Sequence, residues 1–156
     1  MQGKNLRYSY QDFNNLWKQF NYEYLVLVPK DKVKIAEAIL QEDKDEKTAW
    51  TEAVENSRRH LPGDLKGHLE GDIYYRFNLS VAYYNIGEYQ KSVEEFEKAE
   101  GLLPFRTLWY QIEPILSYYE LGNYDRVFAI TDKILNTYNR AFSELYILRG
   151  NIYKNQ

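Results

Sequence analysis

The stretch Ile86-Gly87-Glu88-Tyr89 recurs 35 residues later as Leu121-Gly122-Asn123-Tyr124. The same shift, applied once and then twice, aligns Tyr83 with Tyr118 and Tyr153. Self-similarity at a fixed interval of this length is typical of proteins built from repeated two-helix units. Each glycine permits the left-handed backbone that ends a helix in a tight turn. We therefore predict a helix, a turn at the glycine and a second helix in each unit, with the tyrosine after the turn packing back across the pair.

These residues resemble the tetratricopeptide repeat (TPR), a helix-turn-helix unit of about 34 residues. A first copy spans 73–106, a second spans 108–141, and a partial third, 143–156, has only a first helix with Gly150 at its eighth position. The resemblance implies a mostly α fold, in which antiparallel helix pairs stack as a right-handed solenoid. Pro114 falls inside the first helix of the second copy, where we predict a kink. In the first copy the match is carried by Leu79, Ala82, Tyr83, Gly87, Tyr89, Phe96, Ala99 and Pro104.

The residues before the repeats have a different pattern. Residues 1–29 predict a short α/β segment, in which a helix that starts near Ser9 is followed by a strand over Tyr22–Val28 that stops at Pro29. Residues 30–72 show helical periodicity and predict either a helical linker or a degenerate repeat, closed by a loop.

A second resemblance covers nearly the whole chain. Residues 8–13, Trp17 and 24–29 resemble the closing helix and strand of papain-like bacteriocin-processing cysteine peptidases. Residues 39–43 and 103–111 resemble the TPR tail that follows the peptidase domain in a bacterial branch of that family. Such enzymes need a cysteine nucleophile activated by a histidine, and this chain has no cysteine, so no catalytic residue is carried over. The resemblance implies a non-catalytic regulatory or substrate-steering tail.

Composition argues against several classes of function. The net charge is -3, and the sequence has no concentration of basic residues of the kind that nucleic-acid binding requires. The longest apolar run, Leu25–Pro29, is far short of the roughly 20 residues of a membrane-spanning helix, so we expect no membrane insertion and a soluble protein, cytoplasmic if the chain is complete as given. His60 and His68 lack the spacing of metal ligands and predict a role at a loop surface. We expect no enzyme activity, no cofactor and no metal.

The TPR resemblance also implies a binding site. In that family the second, fifth, ninth, twelfth and thirteenth positions of each first helix line a concave groove, and here those positions are largely aromatic and apolar. We expect a protein or peptide partner bound through apolar and tyrosine contacts. The competing interpretation is that some of these side chains pack against neighbouring helices, and a weaker alternative is glycan binding on the aromatic face. The groove positions are Tyr74, Phe77, Val81, Tyr84, Asn85, Trp109, Ile112, Leu116, Tyr119 and Glu120.

The last helix predicts one further contact. A helix that opens a third unit would present an apolar side that its missing second helix should cover. Three alternatives stay open: this helix caps the array, the chain is a piece of a longer protein, which we favour, or it pairs with another molecule. In the last case the residues open to self-association are Ile147, Leu148, Ile152 and Tyr153.

Overall fold

The structure is a computed structural model that describes residues 7–18, 26–41, 45–61, 71–104, 107–109 and 111–154, with the backbone alone at 18, 71, 72 and 109. All regular structure in these ranges is helical, which confirms the mostly α class. The helices are α1 (Tyr10–Lys18), α2 (Val33–Leu40), α3 (Glu46–His60), α4 (Gly71–Asn85), α5 (Tyr89–Ala99), α6 (Glu113–Glu120), α7 (Tyr124–Lys133) and α8 (Ser143–Lys154). Short 3-10 turns occupy Lys30–Lys32, Glu100–Leu102 and Thr107–Trp109, and a π-helical turn occupies Ile134–Tyr138.

The N-terminal helix forms where the sequence predicted it. The Ser9 hydroxyl oxygen accepts from the backbone N–H of Asp12 at 3.0 Å, which satisfies one donor at the start of α1. The rings of Phe13 and Trp17 lie 5.6 Å apart on its apolar side. The predicted strand falls partly on residues 19–25, outside the described ranges, and 26–29 have no regular secondary structure. That strand stays a prediction.

Two helix pairs are closed by the same turn. Gly87, between α4 and α5, has φ +82°, and Gly122, between α6 and α7, has φ +71°. Gly87 N–H donates to the Tyr84 carbonyl at 2.9 Å, and Gly122 N–H donates to the Tyr119 carbonyl at 2.9 Å. The following N–H groups donate five residues back in both turns, at 2.8 Å and 2.9 Å. This is the Schellman arrangement, and it places both glycines at interhelical corners as predicted.

One apolar core joins the two pairs. Helix α4 packs against α3, α5 and α6, while α6 also packs against α5 and α7. Phe96 of α5 and Tyr118 of α6 meet edge to face with ring centroids 6.4 Å apart. Helix α8 extends the same core through three buried side chains. They are Leu145, Leu148 and Ile152.

Hydroxyl groups fill the place where α4, α5 and α6 cross. Ser80 donates to the Ser92 carbonyl at 2.7 Å, and Ser117 donates to the Ser92 hydroxyl at 2.7 Å. All three serines are fully buried. Small side chains let the helix backbones approach closely, and the hydrogen bonds satisfy groups that would otherwise be costly to bury.

Helix α3 belongs to the packed body. Val54 and Ser57 are buried on its inner side, and Val54 clusters with Leu79, Ala82 and Tyr83 of α4. Helix α2 differs, because Val33, Ile35 and Ile39 remain exposed. The region predicted as a linker or a degenerate repeat therefore supplies one closely packed helix and one helix with an exposed apolar side.

The predicted kink at Pro114 is wrong. Pro114 lies in the first turn of α6, which begins at Glu113, and the predicted N-terminal half of that helix is absent. A proline lacks the N–H that an interior helical position would use, but the first turn has no intrahelical acceptor for that N–H. The helix therefore starts at the proline. Ile112 precedes α6 as its N-cap residue.

The left-handed glycines give a test of the corner geometry. A Cβ added at Gly87 or Gly122 meets nothing within 4 Å, so a side chain there strains only the backbone. We expect Gly87→Ala and Gly122→Ala each to lower the free energy of unfolding by about 1–2 kcal/mol. Gly150→Ala is the matched control, because Gly150 lies inside α8 with equally open space and alanine is the better helix former there.

Equilibrium urea unfolding measures all three variants. We expect Gly150→Ala to raise the free energy of unfolding by about 0.5–1 kcal/mol. An equal effect of the three substitutions would contradict the assignment of Gly87 and Gly122 to helix-ending turns.

Candidate partner-binding face

The first helix of each unit contains two consecutive tyrosines, Tyr83-Tyr84 in α4 and Tyr118-Tyr119 in α6. The first tyrosine of each pair is buried within its own unit. Tyr83 is buried, with the ammonium of Lys91 at 5.8 Å from its ring centre. Tyr118 is buried, with the guanidinium of Arg126 at 5.6 Å from its ring centre. Each pairing joins the first helix of a unit to the second helix, at the same interval of 35 residues. A cation over an aromatic face is favourable, so both contacts stabilise the helix pairs.

The second tyrosine of each pair is only half-buried. The ring of Tyr84 packs on that of Tyr89 at 5.7 Å with a 44° tilt, and the ring of Tyr119 packs on that of Tyr124 at 5.8 Å with a 45° tilt. This confirms that the tyrosine after each glycine turn packs back across the pair. It also shows that Tyr84 and Tyr119 each use part of their surface within the protein and leave the remainder accessible.

Two of the predicted groove residues belong to the core instead. Phe77 is 1% exposed and Val81 is 4% exposed, both within the main apolar cluster. Side chains so fully covered have no surface with which to contact a partner. The prediction that they line a groove fails because both side chains lie in the apolar cluster that α4 shares with α5 and α6.

The remaining predicted positions of α4 and α6 stay partly accessible. Tyr74, Asn85 and Leu116 are half-buried, and Glu120 is exposed. The Asn85 side chain donates to the Val81 carbonyl at 2.9 Å, so its amide is held against α4. We call the surface made by these residues with the two second tyrosines the α4–α6 face. Its members are Tyr74, Tyr84, Asn85, Leu116, Tyr119 and Glu120.

Trp109 and Ile112 do not follow the predicted register. Both precede α6, since that helix starts only at Glu113. Ile112 is half-buried against the main core. The backbone of Trp109 forms part of a 3-10 turn, and its side chain lies outside the described structure.

Two carboxylates act on Tyr84 of the α4–α6 face. Partial burial raises the pKa of Tyr84, and the nearby charges of Glu120 and Glu113 raise it further. Both carboxylates therefore lie close enough to act on the phenol of Tyr84. Within the part of the chain that the structure describes, Glu120 forms no ion pair.

Only part of the apolar side of α8 is buried. Leu148 and Ile152 are buried in the core, so they are closed to a partner, contrary to the prediction. Ile147 and Tyr153 are each 64% exposed, although the ring of Tyr153 also contacts that of Phe128 at 5.2 Å. The difference arises because α7 already covers one side of α8.

The prediction that both histidines lie at a loop surface is wrong for His60 and untested for His68. His60 is the last residue of α3, where it stacks on Tyr75 with ring centroids 5.0 Å apart, so its role is packing and not that of a loop surface. His68 lies outside the described residues. The described ranges contain no group of three or more side chains placed to hold a metal ion. No helix in those ranges is long and apolar enough to cross a membrane.

Several residues that organise this region were not singled out from the sequence. They are the cations over the first tyrosines, Lys91 and Arg126, and the carboxylate of Glu113. The 35-residue shift also aligns Lys91 with Arg126. A comparison of charged positions between the two copies would therefore have identified both cations. Glu113 could not be identified in this way, because its position depends on where α6 starts.

A hydrogen bond and an ion pair connect the two units. The Tyr118 hydroxyl donates to Glu97 at 2.9 Å, and Arg126 forms an ion pair with Glu100. Burial raises the pKa of Tyr118 to about 12, and the hydrogen bond to Glu97 acts in the same direction, although Arg126 opposes it.

This raised pKa predicts a specific loss of stability at alkaline pH. The folded state holds the Tyr118 proton more tightly than the unfolded chain, whose tyrosines titrate near 10.0, so the associated stability is present below pH 10 and is lost as the pH rises towards about 12. We expect the free energy of unfolding to fall more steeply between about pH 10 and about pH 12 in the wild type than in Tyr118→Phe. Urea unfolding across this range measures the two slopes, and equal slopes would contradict the prediction.

Comparison with known proteins adds no assignment. The chain matches no protein-family model, no curated protein and no solved structure. Its function is therefore argued from the geometry of the described residues.

Proposed function

We propose that this chain is a TPR-like interaction module that binds a peptide or protein segment on the α4–α6 face. The observation that carries the proposal is the repeated placement of Tyr84 and Tyr119, each half-buried, at the same register of two successive helix pairs. Two equivalent aromatic contacts at a fixed repeat suit an extended or helical segment that runs across both units.

The chemistry of tyrosine supports this role. A tyrosine presents a large apolar ring with a polar tip and few rotatable bonds, so it contributes contact area at low entropic cost. Here the rings of Tyr84 and Tyr119 pack on those of Tyr89 and Tyr124. The turns at Gly87 and Gly122 fix the helices that carry these tyrosines. A side chain held in this way loses little freedom when a partner binds.

The TPR-like stacking is also part of the proposal. It is supported by the contacts of α4 with α6, which are the first helices of successive units, and by the matching corners at Gly87 and Gly122. In such a stack the first helices share one side of the array, and that side is where the α4–α6 face lies.

An array of short peptides tests binding at this face. We expect binding of selected peptides to weaken by about tenfold or more in Tyr84→Ala and Tyr119→Ala, because an aromatic contact at a binding centre contributes at least 1.4 kcal/mol or so. Tyr10→Ala is the matched control, since Tyr10 is 87% exposed on α1 and lies outside the α4–α6 face. Circular dichroism confirms that each variant is folded.

Other outcomes separate the alternatives. Peptide binding that is unchanged in both tyrosine variants would overturn the α4–α6 face as the site. Binding of polysaccharides but of no peptide would favour a glycan-binding function in its place.

A second candidate function is that of a non-catalytic regulatory tail of a cysteine peptidase. The observation that favours it is the exposed apolar side of α1, where Phe13 is 53% exposed and Leu16 is 49% exposed, as expected of a helix that packs against a further domain. Recovering the reading frame around this segment tests it. A cysteine- and histidine-containing domain encoded upstream would support the tail, and an unrelated upstream sequence would remove it.

A further inference from the structure

We propose that the partner of the α4–α6 face is a peptide segment with a lysine or arginine beside an apolar residue. This inference rests on the proposed peptide-binding function and specifies the chemistry of the ligand. Two independent features of the described residues support it: the charge of the face and the unused surface of its aromatic rings.

The charge of the face is negative. Helix α6 carries Glu113 and Glu120, one at each end, and has no lysine or arginine. In α4 the basic residue is Arg76, and its guanidinium pairs with Glu95 of α5 at 2.7 Å. Arg76 is thus engaged with Glu95, and Glu120 forms no ion pair with any residue that the structure describes. A cationic side chain from a partner is complementary to this surface, and an acidic segment is repelled.

Two aromatic rings of the face, those of Tyr84 and Tyr119, differ from the first tyrosines in their contacts with cations. The described residues place a lysine or arginine over three rings, those of Tyr83, Tyr118 and Phe128. They place none over Tyr84 or Tyr119. The second tyrosine of each pair therefore offers the same kind of ring as the first, without the internal cation that covers the first.

The neighbouring surface selects the apolar residue. Leu116 of α6 is half-buried and packs against the main core, so part of its side chain stays accessible. An apolar side chain of the partner covers its remaining surface, while the stem of a lysine or arginine lies along a tyrosine ring and its charged group reaches Glu120.

The first arm of the test compares peptide chemistries. Fluorescence anisotropy measures the affinity of basic-apolar peptides, of the same peptides with lysine replaced by norleucine and arginine by citrulline, and of acidic-apolar peptides. We expect the basic peptides to bind most tightly and to lose affinity as salt is raised, because exposed charges are screened. The neutral peptides should bind about three- to tenfold more weakly.

The second arm reverses one charge. Glu120→Lys should weaken the binding of basic peptides about tenfold more than that of the neutral peptides, because it removes an attraction and adds a repulsion for a cation alone. The matched control is Glu94→Lys, which makes the same change at an exposed position of α5 outside the face. Both substitutions are at exposed positions, so both variants should fold.

The outcomes distinguish this inference from the proposed function. Equal binding of basic and neutral peptides, with loss in Tyr84→Ala, would keep the peptide-binding function and overturn the preference for a cation. Equal weakening by Glu120→Lys and Glu94→Lys would also overturn it, because a general charge effect would then explain the result. Binding of no peptide of any charge would overturn both.

Discussion

The corner at each glycine is the constraint on which the arrangement depends. A left-handed residue reverses the chain within two residues and lets the last carbonyls of one helix accept from the next turn. Since Gly87 and Gly122 do this with the same hydrogen bonds, α5 and α7 leave their corners in equivalent directions. The pairing of Tyr84 with Tyr89 and of Tyr119 with Tyr124 then follows, because each ring is brought to the corner by the same geometry.

The packing between the two helix pairs depends on side chains that are both small and polar. At the crossing of α4, α5 and α6 the buried residues are Ser80, Ser92 and Ser117, whose hydroxyls bond to one another and to carbonyl groups. A hydrogen-bonded contact of this kind has narrower geometric tolerance than an aliphatic one. It therefore fixes the register of the helices, while the larger apolar residues around it supply most of the burial.

The repeat made much of this predictable. An interval of 35 residues, marked by glycine and tyrosine, located the two corners and the packing of the tyrosines behind them. The same pattern could not show which first-helix residues remain accessible, because that depends on how closely α6 approaches α4. Phe77 and Val81 were predicted as groove residues and are buried for this reason. The start of α6 was also missed, since proline is compatible with either a kink or a helix start and tertiary packing decides between them.

The late start of α6 makes the two units unequal in length. Helix α4 has 15 residues and α6 has 8, so α6 is shorter by about 10 Å at 1.5 Å per residue. The two helices correspond at their C-terminal ends, where Asn85 aligns with Glu120. The asymmetry therefore falls at their other ends, near Tyr74. If a ligand binds across both units as proposed, it would lie beside α4 and α6 near Tyr84 and Tyr119 but, of these two described first helices, beside α4 alone near Tyr74. This difference would distinguish the two directions of a bound chain.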